Sequence, residues 1–403
     1  MSMLKTVVIG SGAAGNKVVI KAVESGVIGI DEAVLINSTT RDITTTTIDD
    51  KELKIVNISN SVDEGGSAKE PKIGEKLTLE ALKSNKLKPE DLIPLGTELV
   101  IFITSTEGGT GCGSVPLIAR YVRDHLGYKV RIIAIKGFSI DARGIDNTLK
   151  FFQKLKSNFG IEIVDNSKFL TLAKQNYIEA EKLANKEICR RIATLKGKYI
   201  VQSEQNIDEK ELKKIATREG YCNTEIYEIP DDKPIQNVED FKDIMKSAID
   251  NSKSFKGTHS QKCMGIIISI KEEEQKYIDF KFTNIFDEYG KPFEVYTHIQ
   301  DSNKTKMPRF IAFMATGMNM PMVEIKNIST SFQNEFQNVA IEVDKFFDEI
   351  QSISETPSSF FDMEEDFSPN NVSKKDTDDF LNSLTQSNNK KGKDIKDIME
   401  GNF

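Results

Sequence analysis

A run of glycines constrains the fold of this chain more than any other feature. Four of the six residues in Gly108-Gly109-Thr110-Gly111-Cys112-Gly113 are glycine. The run follows an apolar, β-branched stretch at 99–104, which predicts a buried strand, and precedes a helical pattern at 114–126. Backbone N–H groups left open by glycine, together with the positive end of a helix dipole, form a site for phosphate. No Lys-Ser or Lys-Thr pair follows, so the run is not a Walker A loop.

A second glycine-rich turn, Gly10-Ser11-Gly12-Ala13-Ala14-Gly15, follows a predicted strand at 4–9 and opens a helix. Its G-x-G-x-x-G spacing occurs in dinucleotide-binding enzymes, so an NAD-dependent oxidoreductase is one interpretation. Such enzymes usually carry an acidic residue at the end of the second strand, where it binds a ribose hydroxyl. Here that strand ends at Asn37 without a carboxylate. The turn by itself is ambiguous between a dinucleotide and another nucleotide.

Strands and helices alternate through the first part of the chain. This order predicts a Rossmann-like, doubly wound parallel sheet (an α/β fold) that binds its ligand at the carboxyl ends of the strands. The predicted strands are 4–9, 32–36, 99–104, 129–135 and 161–164, and the predicted helices are 14–26, 73–87, 114–126 and 144–158.

A long helical pattern at about 175–200 is followed by a different order of elements, which predicts a smaller α+β segment with a mixed sheet. Its predicted helices are 209–219 and 238–250, and its strands are 264–270, 278–283, 293–299 and 309–316. A helix follows at about 321–350, and the Ser-, Asn-, Asp- and Lys-rich composition from Ser352 onward is typical of a disordered tail. The predicted domains are a nucleotide-binding domain at 1–174, a central helix at 175–205, an α+β domain at 206–320, a C-terminal helix at 321–351 and a tail at 352–403.

Charge and cysteine content disfavour several classes of protein. A net charge of −8 disfavours a strong, direct nucleic-acid-binding surface. No apolar run approaches the ~20 residues of a membrane span. The four cysteines are scattered without C-x-x-C spacing, and the three histidines lie far from them and from one another. We therefore expect free thiols, a cytoplasmic location and no metal ion held by protein side chains alone.

The glycine run resembles the glycine-rich signature of the tubulin/FtsZ superfamily, G-G-G-T-G-(S/T)-G. Two positions differ, because Glu107 replaces the first glycine and Cys112 replaces a hydroxyl residue. A thiol is a weaker donor than a hydroxyl, so binding would depend on backbone N–H groups and on Thr110. The carboxylate of Glu107 would have to point away from the phosphates or help to hold Mg²⁺.

Further segments match the superfamily's nucleotide loops in order and spacing. Asn16 follows the first glycine turn as in relatives, Ile36-Asn37-Ser38-Thr39 resembles the second loop, and 66–74 resembles the third, which senses the γ-phosphate in relatives. The resemblance implies that GTP or GDP would bind with Mg²⁺ held through the phosphates. The implied contacts are Gly10, Ser11, Gly12, Ala13, Asn16, Asn37, Gly66, Ser67, Ala68, Lys69, Gly108, Gly109, Thr110, Gly111, Cys112 and Gly113.

Three later residues match contacts to the nucleoside. Asp141 takes the place of a ribose-binding Glu in the loop 137–141, and Asn166 and Asn185 match asparagines that contact the guanine base. An Asn amide offers both a donor and an acceptor, as the edge of guanine requires. The alternative to base binding is that Asn166 belongs to an ordinary strand-end turn and Asn185 is an exposed helix residue.

The segment just beyond the central helix, 205–212, resembles the superfamily loop that completes the nucleotide site of the next subunit in a filament. The resemblance implies that Asp208 and Glu211, with Asn206, position and polarise a water against the γ-phosphate. The two carboxylates are three residues apart at a helix start, so they can project the same way. A similar segment, 237–244, lies farther along the chain. The alternative for both segments is a charged helix start favoured by the helix dipole.

The resemblance therefore implies a cytoskeletal GTPase that assembles head-to-tail with itself and hydrolyses GTP between subunits. The long helix and polar tail after Ala315-Thr316-Gly317 are most similar to the TubZ and phage-tubulin branch. Filaments of that branch segregate or position plasmid or phage DNA, and a DNA-bound adaptor protein would bind the C-terminal region. An FtsZ-type division protein, a tubulin relative that does not hydrolyse GTP and the oxidoreductase remain the alternatives.

Overall fold

The structure, a computed structural model, describes residues 4–43, 45–59, 66–155, 159–201, 203, 206–252, 262–279, 291–321, 325 and 327. The chain divides into two units, Met1–Val343 and Asp344–Phe403, and every described residue belongs to the first. The predicted helix at 321–351 lies almost entirely outside the described residues. The predicted tail at 352–403 lies wholly outside them.

Twelve strands are defined in the described part of the chain. They are β1 Thr6–Ser11, β2 Ala33–Asn37, β3 Thr47–Ile48, β4 Lys51–Glu52, β5 Lys54–Asn57, β6 Leu99–Ser105, β7 Lys129–Lys136, β8 Gly160–Asp165, β9 Gly220–Glu228, β10 Cys263–Ile270, β11 Glu294–Asp301 and β12 Phe310–Met318. Ten of them form one sheet in the order β11-β10-β12-β9-β8-β7-β6-β1-β2-β5, and β3 pairs with β4.

Nine α-helices accompany these strands in the same part of the chain. They are α1 Gly12–Glu24, α2 Pro71–Lys83, α3 Pro89–Leu92, α4 Thr110–Asp124, α5 Ala142–Lys154, α6 Tyr177–Leu195, α7 Glu209–Ala216, α8 Val238–Asp250 and α9 Ser302–Thr305. Within the described residues, none of the helices has the length and apolar character needed to span a bilayer.

The predicted doubly wound parallel sheet is confirmed. Every neighbouring pair from β5 through β2, β1, β6, β7 and β8 to β9 is parallel. Strands covered by helices on both faces are apolar along their whole length, and six of the seven residues of β6 are buried. The carboxyl ends of these strands therefore lie along one edge of the sheet, which we call the carboxyl edge; the opposite edge is the amino edge.

The mixed sheet predicted for the second part is also confirmed, and it continues the first sheet. Strand β12 is antiparallel to both β9 and β10, whereas β11 is parallel to β10. Strands β8 and β9 join the two parts through only two residue pairs, Gly160 with Gly220 and Ile161 with Tyr221. One sheet thus passes through both predicted domains, and the domain boundaries themselves remain a prediction.

The sequence prediction missed β9 because buried polar residues interrupt its apolar pattern. Asn223, Thr224 and Glu225 are buried, and the side chains of Thr224 and Glu225 bond other side chains. The Thr224 hydroxyl donates to Glu162 Oε1 at 2.9 Å, and the Ser252 hydroxyl donates to Glu225 Oε1 at 2.7 Å. The short, polar strand β5 and the β3–β4 hairpin were missed as well.

Several predicted boundaries were wrong. Helix α2 ends at Lys83, four residues before the predicted 87. Helix α6 ends at Leu195, five residues before the predicted 200, and α7 ends at Ala216, three residues before the predicted 219. Helix α5 ends at Lys154, and 156–158 lie outside the described residues. Of the predicted strand at 278–283, the first two residues are not strand, and 280–283 lie outside the described part.

A buried network of charges connects the central helix α6 to both parts of the sheet. Arg191 on α6 contacts Glu162 of β8 at 3.6 Å and Glu225 of β9 at 2.9 Å. Arg131 of β7 pairs with Glu162 at 2.6 Å and donates to the carbonyl oxygens of Ile215 and Ala216. Because those carbonyls lie at the end of α7, the network also fixes α7 against the amino edge of the sheet.

Replacing Arg131 with methionine (Arg131→Met) should lower the free energy of unfolding by about 3–5 kcal/mol, because Glu162 keeps its buried charge and loses its shortest ion pair. Lys129→Met on the same strand is the control, since Lys129 and Glu219 form an exposed pair at 3.6 Å worth at most about 1 kcal/mol. Urea unfolding measures the free energy of unfolding of both variants. Equal losses in the two variants would contradict the importance of the buried network.

Candidate functional site

The loops singled out by the sequence meet at the carboxyl edge of the sheet. Thr110, at the start of α4, lies at the centre of this cluster. Its Oγ1 is 2.7 Å from Ser38 Oγ and 2.8 Å from Ser67 Oγ. Ser11 Oγ is 2.6 Å from Ser114 Oγ. Hydrogen bonds between buried hydroxyls thus bring together four loops that are far apart in sequence.

Two glycines of the 106–113 loop have opposite surroundings. A Cβ on Gly111 would collide with the Thr104 hydroxyl and lie 2.8 Å from the Ser11 carbonyl oxygen, so the backbone packs too closely there for a side chain. A Cβ on Gly108 would meet no atom within 4 Å. Gly108 therefore faces open space, where a ligand group can approach the backbone.

Glu107, which stands in place of a superfamily glycine, points away from this open space. Its Oε1 accepts a hydrogen bond from the Ser139 backbone N–H at 2.9 Å. The carboxylate lies so close to Gly137 that a Cβ at that position would collide with it. Burial raises the pKa of Glu107, although the Ser139 N–H and Lys136 oppose the rise. Glu107 is thus bonded to the loop 137–141, in agreement with the first of its two expectations, and its relation to Mg²⁺ stays a prediction.

The Cys112 side chain is used inside its own loop. The thiol donates to the carbonyl oxygens of Thr106 at 2.7 Å and Ser105 at 3.3 Å, and burial raises its pKa well above the ordinary range. A contact from Cys112 to a ligand would therefore come from its backbone N–H.

The third loop, 66–74, is connected to the start of α5. Lys69 Nζ donates to Asp141 Oδ2 at 2.6 Å, while Asp141 Oδ1 caps the helix by accepting from the Gly144 N–H at 2.7 Å. The hydrogen bond from Lys69 lowers the pKa of Asp141. The buried Asn147 side chain donates to the carbonyl oxygens of Lys69 at 2.8 Å and Glu107 at 3.0 Å. Helix α5 thereby holds two of the loops together.

At this edge of the sheet, two buried asparagines offer acceptors that no described residue uses. Asn166 directly follows β8, and its Oδ1 is buried without a hydrogen-bond donor among the described residues. The Oδ1 of Asn16 is likewise buried and without a donor there, while its amide donates to the Ile36 carbonyl at 3.2 Å. An unpaired buried acceptor is costly unless a ligand donor satisfies it. Together with the open backbone at Gly108, these atoms fit a nucleotide with a hydrogen-bonding base.

Asn37 and Gly66 lie at the same edge, whereas Asn185 lies near the middle of α6. Asn37 is buried at the end of β2, where its Oδ1 accepts from the Ser38 N–H at 3.0 Å. Gly66 begins the third loop with φ +74°, a conformation that favours glycine. Asn185 lies partly exposed on α6, in the ninth position of that helix.

The predicted catalytic residues lie elsewhere in the molecule. Asp208 caps α7: its Oδ1 accepts from the Glu211 N–H at 2.8 Å, and Glu211 Oε2 accepts from the Asp208 N–H at 2.9 Å. Asn206 Oδ1 accepts from the Ser203 N–H at 2.9 Å. The α7 segment lies at the amino edge, and the 19 residues of α6, roughly 28 Å of helix, run between the two edges. One subunit does not bring this acid pair to its own glycine loops.

The similar segment at 237–244 has the same kind of helix cap. Asn237 Oδ1 accepts from the Asp240 N–H at 2.9 Å. The neighbouring Ile235 N–H donates to Glu274, which follows the carboxyl end of β10. This segment is therefore at the same edge as the glycine loops, whereas Asp208 and Glu211 are at the opposite edge.

Sequence reasoning missed several residues that shape the site. Ser38 and Ser114 supply hydroxyls to the cluster, Ser139 anchors Glu107, and Asn147 joins two loops. Polar residues of this kind carry no periodic signal, because each depends on a partner far away in sequence.

No family model matches the chain. Among curated proteins, the cell division protein FtsZ of Aquifex aeolicus is 30% identical over 162 residues, which are 40% of this chain and 41% of that protein. The chain thus spans about two fifths of the length of this curated relative.

Solved structures show the same fold over most of the chain. CetZ2 from Haloferax volcanii, solved as a protofilament with GTPγS bound, matches with a TM-score of 0.64 at 17% identity and covers 83% of this chain and 100% of its own. TubZ from Clostridium botulinum phage c-st matches with a TM-score of 0.61 at 15% identity and covers 83% and 98%.

The fold is that of the tubulin-like proteins. In its glycine-loop signature, its partial sequence match to FtsZ and its fold, the chain is similar to members of the tubulin/FtsZ superfamily. The TubZ branch that the sequence resembles is among its structural neighbours, and so is CetZ.

Two glycine variants separate packing from ligand access. Gly111→Ala should lower the free energy of unfolding by about 1–3 kcal/mol because the new methyl group overlaps Thr104 and the Ser11 carbonyl. Gly108→Ala should change it by less than about 1 kcal/mol, since its methyl group meets no protein atom. Thermal or urea unfolding compares them. A Gly108 variant as unstable as the Gly111 variant would contradict the open position of Gly108.

The raised pKa of Glu107 predicts a pH-dependent stability. Folding favours the protonated carboxyl, so its contribution is fully present below the model-compound value of 4.5 and is lost as pH rises through the raised pKa. Glu107→Gln should therefore gain stability relative to wild type as pH increases from about 4 to 7. Urea unfolding at a series of pH values measures this difference. Glu90→Gln, which changes an exposed carboxylate, is the control. Parallel plots of unfolding free energy against pH for wild type and both variants would contradict the burial of Glu107.

Proposed function

We propose that this protein is a GTPase that assembles head-to-tail into filaments and hydrolyses GTP between neighbouring subunits. The observation that supports the proposal is the separation of two half-sites. Glycine loops with unused buried acceptors lie at the carboxyl edge, and the acid pair Asp208 and Glu211 lies at the amino edge. A second subunit stacked in the same orientation would place its amino edge on those loops.

Exposed apolar side chains at both edges support the same stacking. Near the glycine loops, Ile140 is 72% exposed and Ile178 at the start of α6 is 70% exposed. Near α7, Leu95 is fully exposed and Phe293 is 87% exposed. Lys213 of α7 donates to Glu98, which closely follows Leu95 in sequence. Lys214 of α7 donates to Glu294, which directly follows Phe293. Large exposed apolar residues are typical of interaction surfaces.

In this proposal each half-site has a distinct task. Backbone N–H groups of the glycine loops bind the phosphates, and Asn166 and Asn185 bind the base. Asp208 and Glu211 of the adjacent subunit accept hydrogen bonds from a water and orient it toward the terminal phosphate. Since Glu107 points away, Mg²⁺ would be held through the phosphates and would neutralise part of their charge. An isolated subunit would bind GTP and hydrolyse it slowly.

The finer role that we propose is segregation or positioning of plasmid or phage DNA by cytoplasmic filaments. Its support is the similarity to TubZ and the helical and polar C-terminal sequence, which would bind a DNA-bound adaptor protein. An FtsZ-type role in cell division is the second candidate, favoured by the sequence match to FtsZ. Co-sedimentation of polymer with plasmid-partition adaptors or with division proteins distinguishes the two.

Charge-neutral variants test the acid pair without removing its helix cap. Asp208→Asn and Glu211→Gln keep side-chain acceptors for the capping hydrogen bonds, but they lose the negative charge that polarises water. We expect both to pellet with GTP and to release phosphate at least about tenfold more slowly than wild type. Pelleting with parallel phosphate release measures both properties.

Asp240→Asn is the matched control, because Asp240 is also bonded at a helix start but lies at the carboxyl edge. It should hydrolyse GTP at the wild-type rate. Normal hydrolysis by both α7 variants would exclude this loop from the reaction. Failure of the wild-type protein to polymerise with any nucleotide would overturn the filament proposal and favour the oxidoreductase alternative.

A further inference from the structure

Strand β11, the last strand at one end of the ten-stranded sheet, carries polar groups along one face. Successive side chains of a strand alternate between its two faces. The side chains that share this face, which we call the polar face of β11, are Glu294, Tyr296, His298 and Gln300. His298 is 0% exposed and Gln300 is 1% exposed. Buried polar groups require partners within the molecule, so this face serves contacts inside the subunit.

The Gln300 side chain holds the backbone just beyond the central helix. Its Oε1 accepts a hydrogen bond from the Val201 N–H at 3.1 Å and lies 2.8 Å from His298 Nε2. Because an amide oxygen has no proton to give, His298 Nε2 is the donor in that second contact. Gln300 Nε2 donates in turn to Met307 Sδ at 3.3 Å. Both polar atoms of the amide are engaged, and this fixes the position of the Val201 N–H.

The other end of the polar face holds helix α7. Lys214 of α7 donates to Glu294 Oε1 at 2.6 Å and to the Tyr296 hydroxyl at 3.2 Å. The residue that follows Lys214 in α7 offers its carbonyl oxygen to Arg131 of β7 at 3.1 Å. Helix α7 is therefore held from the first part of the sheet by β7 and from the second part by β11.

The contacts to β11 lie on both sides of the acid pair in the sequence. Val201 precedes Asp208, and Lys214 follows Glu211. The polar face of β11 is roughly 20 Å long, and each of its ends holds one side of this segment. A displacement of about 1 Å in a catalytic group can reduce a reaction rate by about 100-fold. The position of the acid pair, and with it the rate, therefore depends on a strand that supplies no acid itself.

We propose that the polar face of β11 positions the acid pair for hydrolysis in the adjacent subunit, and that Gln300 is its principal positioning residue. The inference rests on the proposed function, because it requires Asp208 and Glu211 to act on GTP between subunits. Gln300 acts through the backbone at Val201 and not through the nucleotide. Loss of its hydrogen bonds therefore slows turnover in the filament and leaves the GTP affinity of the single subunit unchanged.

Gln300→Met in the full chain removes the hydrogen bonds of the amide and keeps the length of the side chain. We expect this variant to bind GTP like the wild type, to pellet with GTP, and to release phosphate at least about tenfold more slowly per polymerised subunit. Gln300→Glu keeps an oxygen that accepts from the Val201 N–H, so it should recover most of the rate. Thr297→Val, on the opposite face of the same strand, is the matched control and should hydrolyse GTP at the wild-type rate.

A double variant shows whether Gln300 acts through the acid pair. Asp208→Asn combined with Gln300→Met should be no slower than Asp208→Asn alone, because a carboxylate that is already absent cannot be misplaced. Multiplied losses in the double variant, or wild-type phosphate release by Gln300→Met, would overturn the inference and leave the proposed function intact. Wild-type release by Asp208→Asn would instead overturn the role of the acid pair, and the inference with it.

Lys214→Met provides the test at the other end of the polar face and decides the question if Gln300→Met does not fold. The Lys214 side chain is 41% exposed, so the fold should tolerate its replacement. We expect unchanged GTP binding and phosphate release about threefold slower per polymerised subunit, as suits the loss of a partly exposed pair. Wild-type release by filaments of Lys214→Met would then overturn the positioning role of β11.

Discussion

The buried charges around Glu162 hold the molecule together at the point where its two parts meet. Arg131 reaches Glu162 from β7, and Arg191 reaches it from the central helix. The same arginines bind Glu225 of β9 and the last carbonyls of α7. Such charges are tolerated in an interior only when each is paired and hydrogen-bonded. The network therefore fixes the central helix, the second part of the sheet and the acid pair of α7 relative to the glycine loops.

The 106–113 loop accommodates Glu107 at a position where the superfamily signature has glycine. A glutamate in place of the first superfamily glycine would crowd a phosphate if its side chain pointed inward. Gly137 leaves room for the carboxylate on the other side, and the Ser139 N–H satisfies it. The backbone at Gly108 consequently stays open. A substitution at one loop is thus accommodated by two residues of another loop, about 30 residues later.

Local patterns predicted much of the architecture. Apolar strands such as β6, the glycine turns and the central helix followed from composition and spacing, because each depends on neighbours in sequence. Strand β9 did not, since Asn223 and Glu225 become compatible with burial only when Ser252 and Arg191 are folded against them. The direction of Glu107 and the double hydrogen bond of Asn147 were equally unpredictable, because both are set by loops distant in the chain. The site assignments themselves remain predictions drawn from the resemblance.

The short junction between β8 and β9 affects how the sheet responds to force. These strands share two residue pairs, whereas β7 and β8 share six. Beyond Ile161 the two strands are connected by side chains: Thr224 of β9 bonds Glu162 of β8 directly, and Arg191 of the central helix contacts Glu162 and Glu225. A force that pulls the two parts of the sheet apart would therefore meet its smallest backbone resistance here. This junction would act as a hinge whose stiffness is set by arginine–glutamate contacts. In a filament of the kind proposed above, bending would therefore be absorbed inside each subunit.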